Sequence, residues 1–106
     1  MSGLFGSKVR TDVLVAIGRL DLTYPSELAR VLGLRIVEVQ RAVAALERTG
    51  AVVSRRVGST RTIALNRQFP AAEALYALLL KMSEEPIYRE RWKNVRRRPR
   101  ALGKAQ

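Results

Sequence analysis

Val9, Val13, Ala16, Ile17 and Leu20 recur at four, three, one and three residues, which lines them along one side of a helix over Lys8–Leu20. Thr23-Tyr24-Pro25 breaks that pattern: Tyr24 suits a brief strand, and Pro25 presets the φ of a new helix start. Leu28, Ala29 and Leu32 then predict a short helix over Ser26–Leu32, stopped by Gly33. Ile36, Val39, Val43 and Leu46 give the buried line of a third helix over Ile36–Thr49, with Gly50 as its stop. From Ala51 the period changes to two. Ala51–Val57 and Arg61–Leu65 flank Gly58-Ser59-Thr60, the pattern of a β-hairpin. Pro70 opens a fourth helix that runs to about Met82 and is apolar nearly all round.

The expected fold class is therefore mainly α with a small β-hairpin (α+β), in a chain of 106 residues with room for one domain. Residues 1–6 read as a flexible N-terminus, 7–83 as the folded body and 84–106 as a short helix with a basic tail. Ser83-Glu84-Glu85-Pro86 suits an N-cap and acidic first turn, after which Tyr88, Trp92 and Val95 make a docking stripe for a fifth helix, against the body or a partner subunit. A body this small has little protein to cover both sides of helix 70–83. Leu75, Leu78, Leu79 and Met82 are accordingly expected at a two-fold interface between copies, a homodimer; the alternative is that the following segment folds back over them.

Charge narrows the function. Twenty Lys+Arg stand against nine Asp+Glu, net +11, with no His and no Cys. A field of that sign attracts polyanions, nucleic acid first and an anionic membrane surface second. Missing Cys and His remove thiolate and imidazole metal sites, cysteine catalysis and the usual proton shuttle. No phosphate-binding glycine loop is present and no nucleophile has an evident base, so the expectation is a non-enzyme without cofactor or metal. The most apolar run, Ala74–Met82, is too short to span a bilayer and the N-terminus has no secretory run, which predicts a cytoplasmic, nucleoid-associated protein with no membrane partner. The basicity is uneven: residues 1–83 carry 12 Lys+Arg and 6 Asp+Glu, whereas 84–106 carry 8 and 3.

Three stretches fall together at a known spacing: Ser26-Glu-Leu-Ala-Arg-Val-Leu-Gly-Leu34, Val39-Gln-Arg-Ala-Val-Ala-Ala-Leu-Glu-Arg-Thr-Gly-Ala-Val52 and Gly58-Ser-Thr-Arg61. In them the chain resembles a winged helix-turn-helix domain of the prokaryotic transcription-regulator type (ArsR/MarR-like), over residues 7–83, with an added C-terminal helix. The resemblance implies a double-stranded DNA partner, a dimer, a third helix that enters the major groove and a hairpin wing beside it. A major groove about 12 Å wide accepts such a helix.

On the third helix Val37, Gln40, Arg41, Ala44 and Arg48 face away from the apolar line, and Arg35 stands at its entrance. Arg41 can donate bidentately to guanine O6/N7 and Gln40 can pair with adenine. The resemblance implies that Arg35, Val37, Gln40, Arg41 and Ala44 face DNA. Val37 and Ala44 depart from the polar residues usual there, which leaves a thymine methyl as the target for Val37. Around the wing, Arg55, Arg56, Ser59, Thr60 and Arg61 are candidates for phosphate or minor-groove contact. Strand alternation allows only one of Arg55 and Arg56 to share the Arg61 face. Arg96, Arg97, Arg98 and Arg100 form a cationic tail, read either as a minor-groove arm or as a solvated extension. The competing function is a winged-helix module that binds protein, or RNA or a ribosome, in a larger assembly; the apolar Val37 and Ala44 favour it.

Overall fold

The computed structural model describes residues 4–95, so the predicted tail arginines Arg96, Arg97, Arg98 and Arg100 lie outside the described residues. Helix α1 (Lys8–Leu20) starts at Ser7, whose Oγ accepts from Arg10 N at 3.1 Å. It is followed by strand β1 (Leu22–Thr23), helices α2 (Pro25–Leu32) and α3 (Ile36–Thr49), strands β2 (Val52–Val57) and β3 (Thr60–Leu65), helix α4 (Ala72–Ser83) and the single turn α5 (Pro86–Arg89), which continues as a 3₁₀ turn over Glu90–Asn94.

Helix α1 is the centre of the domain. The sequence pattern marks one apolar side, but every residue from Thr11 to Gly18 is buried, because α2, α3 and the sheet pack on one side and α4 on another. Gly18 makes the second contact possible: a Cβ there would stand 2.7 Å from the Leu79 Cβ. The three strands are antiparallel in the order β1-β3-β2. Thr23 pairs with Ile63, and Val52 with Leu65 through to Val57 with Thr60. Thr23, Val52, Ile63 and Leu65 turn inward and close the core. Gly58 leads the two-residue hairpin loop with φ of 63°, the left-handed conformation that a tight hairpin needs at this position.

Several expectations are corrected here. The short strand lies at Leu22–Thr23, one step before Tyr24, because the Thr23 hydroxyl is drawn inside to donate to the buried Glu27 carboxylate at 2.6 Å. Helix α4 begins at Ala72, since Phe69–Ala71 form a turn closed by Ala72 N donating to Phe69 O. Ser83 ends α4 instead of capping the next helix: its hydroxyl is buried and donates to Leu80 O at 2.7 Å. Within the predicted flexible start, Phe5 packs against the core and its N–H donates to Thr11 Oγ1 at 3.1 Å.

Leu75, Leu78, Leu79 and Met82, the residues expected at a two-fold interface, divide between the core and the surface of this chain. Leu79 is 0% and Met82 3% exposed inside this one chain, spent on α1 and on the returning C-terminal segment, whereas Leu78 is 40% exposed and Leu75 half-buried. That segment docks by polar as well as apolar contacts. Tyr88 OH donates to Asp12 Oδ1 at 2.9 Å, Trp92 Nε1 donates to Ser83 O at 2.8 Å, and Arg91 Nη1 donates to Leu32 O at 3.2 Å, capping the end of α2. The docking stripe Tyr88, Trp92 and Val95 thus packs on the chain's own body.

Candidate nucleic-acid interface

The α2–α3 pair is set by its turn. Gly33 and Leu34 close α2, with Leu34 N donating to Ala29 O at 2.9 Å, and Leu34 packs against the core. Glu38 then reaches back to accept from Arg35 N at 3.0 Å, which satisfies one of the free N–H groups at the start of α3. Val39, Ala42, Val43 and Leu46 bury the inner side of α3 against α1 and α2. Ile36, expected to continue that line, is 43% exposed instead. Leu34 already fills the core position at this end, so Ile36 projects toward the hairpin.

The outer side of α3 therefore carries Ile36, Val37, Gln40, Arg41 and Arg48 in solvent, with Ala44 half-buried among them and Arg35 exposed at the entrance. Among the described residues neither Arg41 nor Arg48 has a carboxylate within 4.0 Å. Arg35 lies 3.7 Å from Glu38 in a solvent-exposed pair. Such pairs are worth little and are readily exchanged for a phosphate.

The wing stands beside this side of α3 and is tied to it. Arg61 Nη2 donates to Glu47 Oε1 at 3.1 Å, and the Ser54 hydroxyl donates to the other oxygen of the same carboxylate. Arg61 is thereby half-buried and held back toward α3, while Ser59 and Thr60 are exposed at the tip. Arg56 is the arginine that shares the Arg61 face, directly opposite it across the hairpin; Arg55 pairs with Thr62 and points to the other side of the sheet. Among the described residues Arg55 and Arg56 form no ion pair.

Two clefts flank α3. One of about 530 Å³ runs between its first turn and the wing tip, lined by Tyr24, Pro25, Ser26, Ile36 and Ser59–Arg61. The other, about 290 Å³, lies between α3 and the start of α1 and brings Arg10 beside Arg41. Neither Glu47 nor Arg10 was singled out from the sequence as part of this site. Glu47 meets Arg61 across 14 residues only because of the hairpin register, and Arg10 reaches α3 only because α1 packs on it; no local spacing signals either. Among the described residues no cluster of three or more His, Cys, Asp or Glu is placed to hold a metal ion, and no helix is long and apolar enough to cross a membrane.

No family model matches the chain, and no curated protein sequence does. Solved structures do. A mutant MarR from E. coli complexed with operator DNA superposes with a TM-score of 0.59 at 19% identity, covering 90% of this chain and 68% of that one. The oxidized form of MarR from E. coli gives 0.58 at 21% identity over the same shares. A mutant of ZitR from Lactococcus lactis gives 0.58 at 15% identity, covering 91% of this chain and 66% of that one. The domain has the winged-helix fold of these MarR-type proteins, as the sequence resemblance implies.

Proposed function

We propose that this chain is a double-stranded DNA-binding protein, a small dimeric transcriptional regulator that places α3 in the major groove and the wing on the flanking backbone or minor groove. The observation that carries the reading is the outer side of α3: Arg41 and Arg48, which among the described residues have no carboxylate partner, on a helix whose opposite side is wholly committed to the core. Gln40 and Arg41 read base edges, and Arg35, Arg48, Arg55, Arg56 and the tip residues Ser59 and Thr60 meet phosphates or the minor groove. Arg61 has a double part, steadying the wing through Glu47 and adding positive charge at its root. A fold shared with a MarR structure that holds operator DNA supports the same placement. The reading assigns no catalysis.

Dimerisation uses what α4 leaves exposed, chiefly Leu78 with the half-buried Leu75, and sets two copies of α3 toward two half-sites. Fluorescence anisotropy on duplex DNA tests the whole reading. If a dimer neutralises about 6–10 phosphates, affinity falls about 10³–10⁵-fold between 50 and 200 mM salt. Absence of any duplex binding at low salt overturns it.

A further inference from the structure

We infer that the first turn of α3 reads the 5-methyl group of a pyrimidine, which makes thymine the base this protein prefers where that turn enters the groove. The inference rests on the DNA-binding reading above and deepens it. Its starting point is Ile36, which the hydrophobic pattern places in the core but which is 43% exposed, beside the outward Val37 at 38%. They sit on the first turn of α3, and it is the N-terminal residues of a groove-entering helix that meet base edges. Both are β-branched, so their χ1 angles are stiff and they offer a preformed apolar surface instead of a mobile one. Tyr24, also exposed, extends that surface along the cleft that ends at the wing tip.

The major groove presents a single apolar group to such a surface, the methyl at C5 of thymine. Cytosine N4–H₂ or guanine O6 pressed against Ile36 and Val37 loses its water and gains no partner, so the same contact rejects other bases. Charge argues for a nucleic acid as the occupant in preference to an apolar protein: Arg35 precedes the patch, Arg41 follows it one turn later, and Arg61 closes the far wall of the cleft. A protein docked there must desolvate the Arg35 and Arg41 guanidinium groups, whereas duplex DNA meets them with phosphates and base edges.

The test uses the intact chain and duplexes selected for binding from a random pool. Each thymine of a selected duplex is replaced singly by deoxyuridine, which deletes the methyl and nothing else. Burial of one methyl predicts a loss of about 3- to 10-fold in affinity at one or two clustered positions. In the Ile36→Ala/Val37→Ala variant the same replacements cost less than about twofold, the coupling expected of a direct contact. At those positions cytosine binds more weakly than thymine, and 5-methylcytosine recovers part of the loss, which separates the methyl from the rest of the thymine edge. Uniform tolerance of uracil by a wild-type protein that still binds duplex in a salt-dependent way overturns the inference and leaves the DNA-binding reading standing. Loss of a protein partner in Val37→Glu with duplex affinity unchanged also overturns it, in favour of a protein interface. Failure of the wild type to bind any duplex overturns both.

Discussion

The two ends of this molecule handle charge and apolar surface in opposite ways. From Arg35 to Arg61 the chain carries six arginines and two glutamates, net +4. From Ala72 to Arg89 it carries Lys81 and Arg89 against Glu73, Glu84 and Glu85, net −1. Among the described residues Arg41, Arg48, Arg55 and Arg56 of the first region have no ion pair, and neither do the three glutamates of the second. Apolar surface is divided the same way. Leu79, Met82 and Tyr88 are consumed by the core, while Ile36 and Val37 stay in water. Helix α1 lies between the two ends and contacts both α3 and α4. Between these two stretches the positive charge falls on the α3–wing side, with residues 90–106 adding a second basic stretch of seven Lys+Arg and one Glu, and the part that holds the fold together is separate from the part that leaves arginines and β-branched side chains in solvent.

A double dissociation tests that division. Leu79→Ala removes a fully buried side chain at the α1–α4 crossing beside Gly18 and is expected to cost about 2–5 kcal/mol in urea unfolding. The protein that remains folded should bind duplex as before. At protein concentrations where the chain is monomeric, Leu78→Ala on the exposed side of the same helix should cost under about 0.5 kcal/mol. If equal costs were measured, the two sides of α4 would not differ as described. Arg41→Ala reverses the pattern: unfolding is unchanged, and affinity for a selected duplex falls by about 1–3 kcal/mol, concentrated at one base pair. Arg56→Ala should instead weaken all duplexes alike and reduce the salt slope by about one. Equal losses on every sequence for both variants would dissolve the distinction between base reading and backbone contact.

Tyr88→Phe gives a smaller effect, about 1 kcal/mol near neutral pH, with a pH signature. Burial pushes the Tyr88 hydroxyl well above the usual phenol range, and donation to the Asp12 carboxylate pushes it further. Above about pH 10 the unfolded chain releases a proton that the folded chain keeps. Fewer protons on the unfolded state mean that stability falls as pH rises. The contribution is complete below about pH 10 and is lost on the way to the raised folded value. Chemical unfolding from pH 8 to 12 should show that decline in the wild type, and the phenylalanine variant should show a shallower one. Smallest of all is Lys81→Ala. Two helix packings, α4 on α1 and α1 on α3, put roughly 16–20 Å between α4 and α3, well beyond the screening length of roughly 8 Å at physiological salt, so duplex affinity should change less than about twofold. A loss as large as that of Arg41→Ala would show that net charge, not its position, governs binding.

Much of the architecture is legible from neighbours along the chain. The limits of α1 and α3, the stop at Gly33, the hairpin around Gly58 and the outward set Val37, Gln40, Arg41 and Arg48 follow from periods of 3.6 and two residues and from where glycine interrupts them. What is not legible is which of two similar apolar residues a neighbouring element covers. Leu34 and Ile36 both suit the core, and the entry turn gives the place to Leu34. Leu78 and Leu79 are the same residue type, and only the approach of α1 at Gly18 separates them. The partner of Arg61 is hidden for the same reason, since Glu47 is brought to it by hairpin register.

Local pattern, then, settles which segments are helix or strand and which side of α3 is polar, because hydrogen-bond geometry repeats at fixed short spacings along one chain. Long-range packing settles the rest: that Ile36 is exposed, that α4 spends Leu79 inside, that Tyr88 reaches Asp12 and that the wing is fastened to α3. Those outcomes depend on which surfaces remain after every element has claimed its share of the core, a competition among parts far apart in sequence.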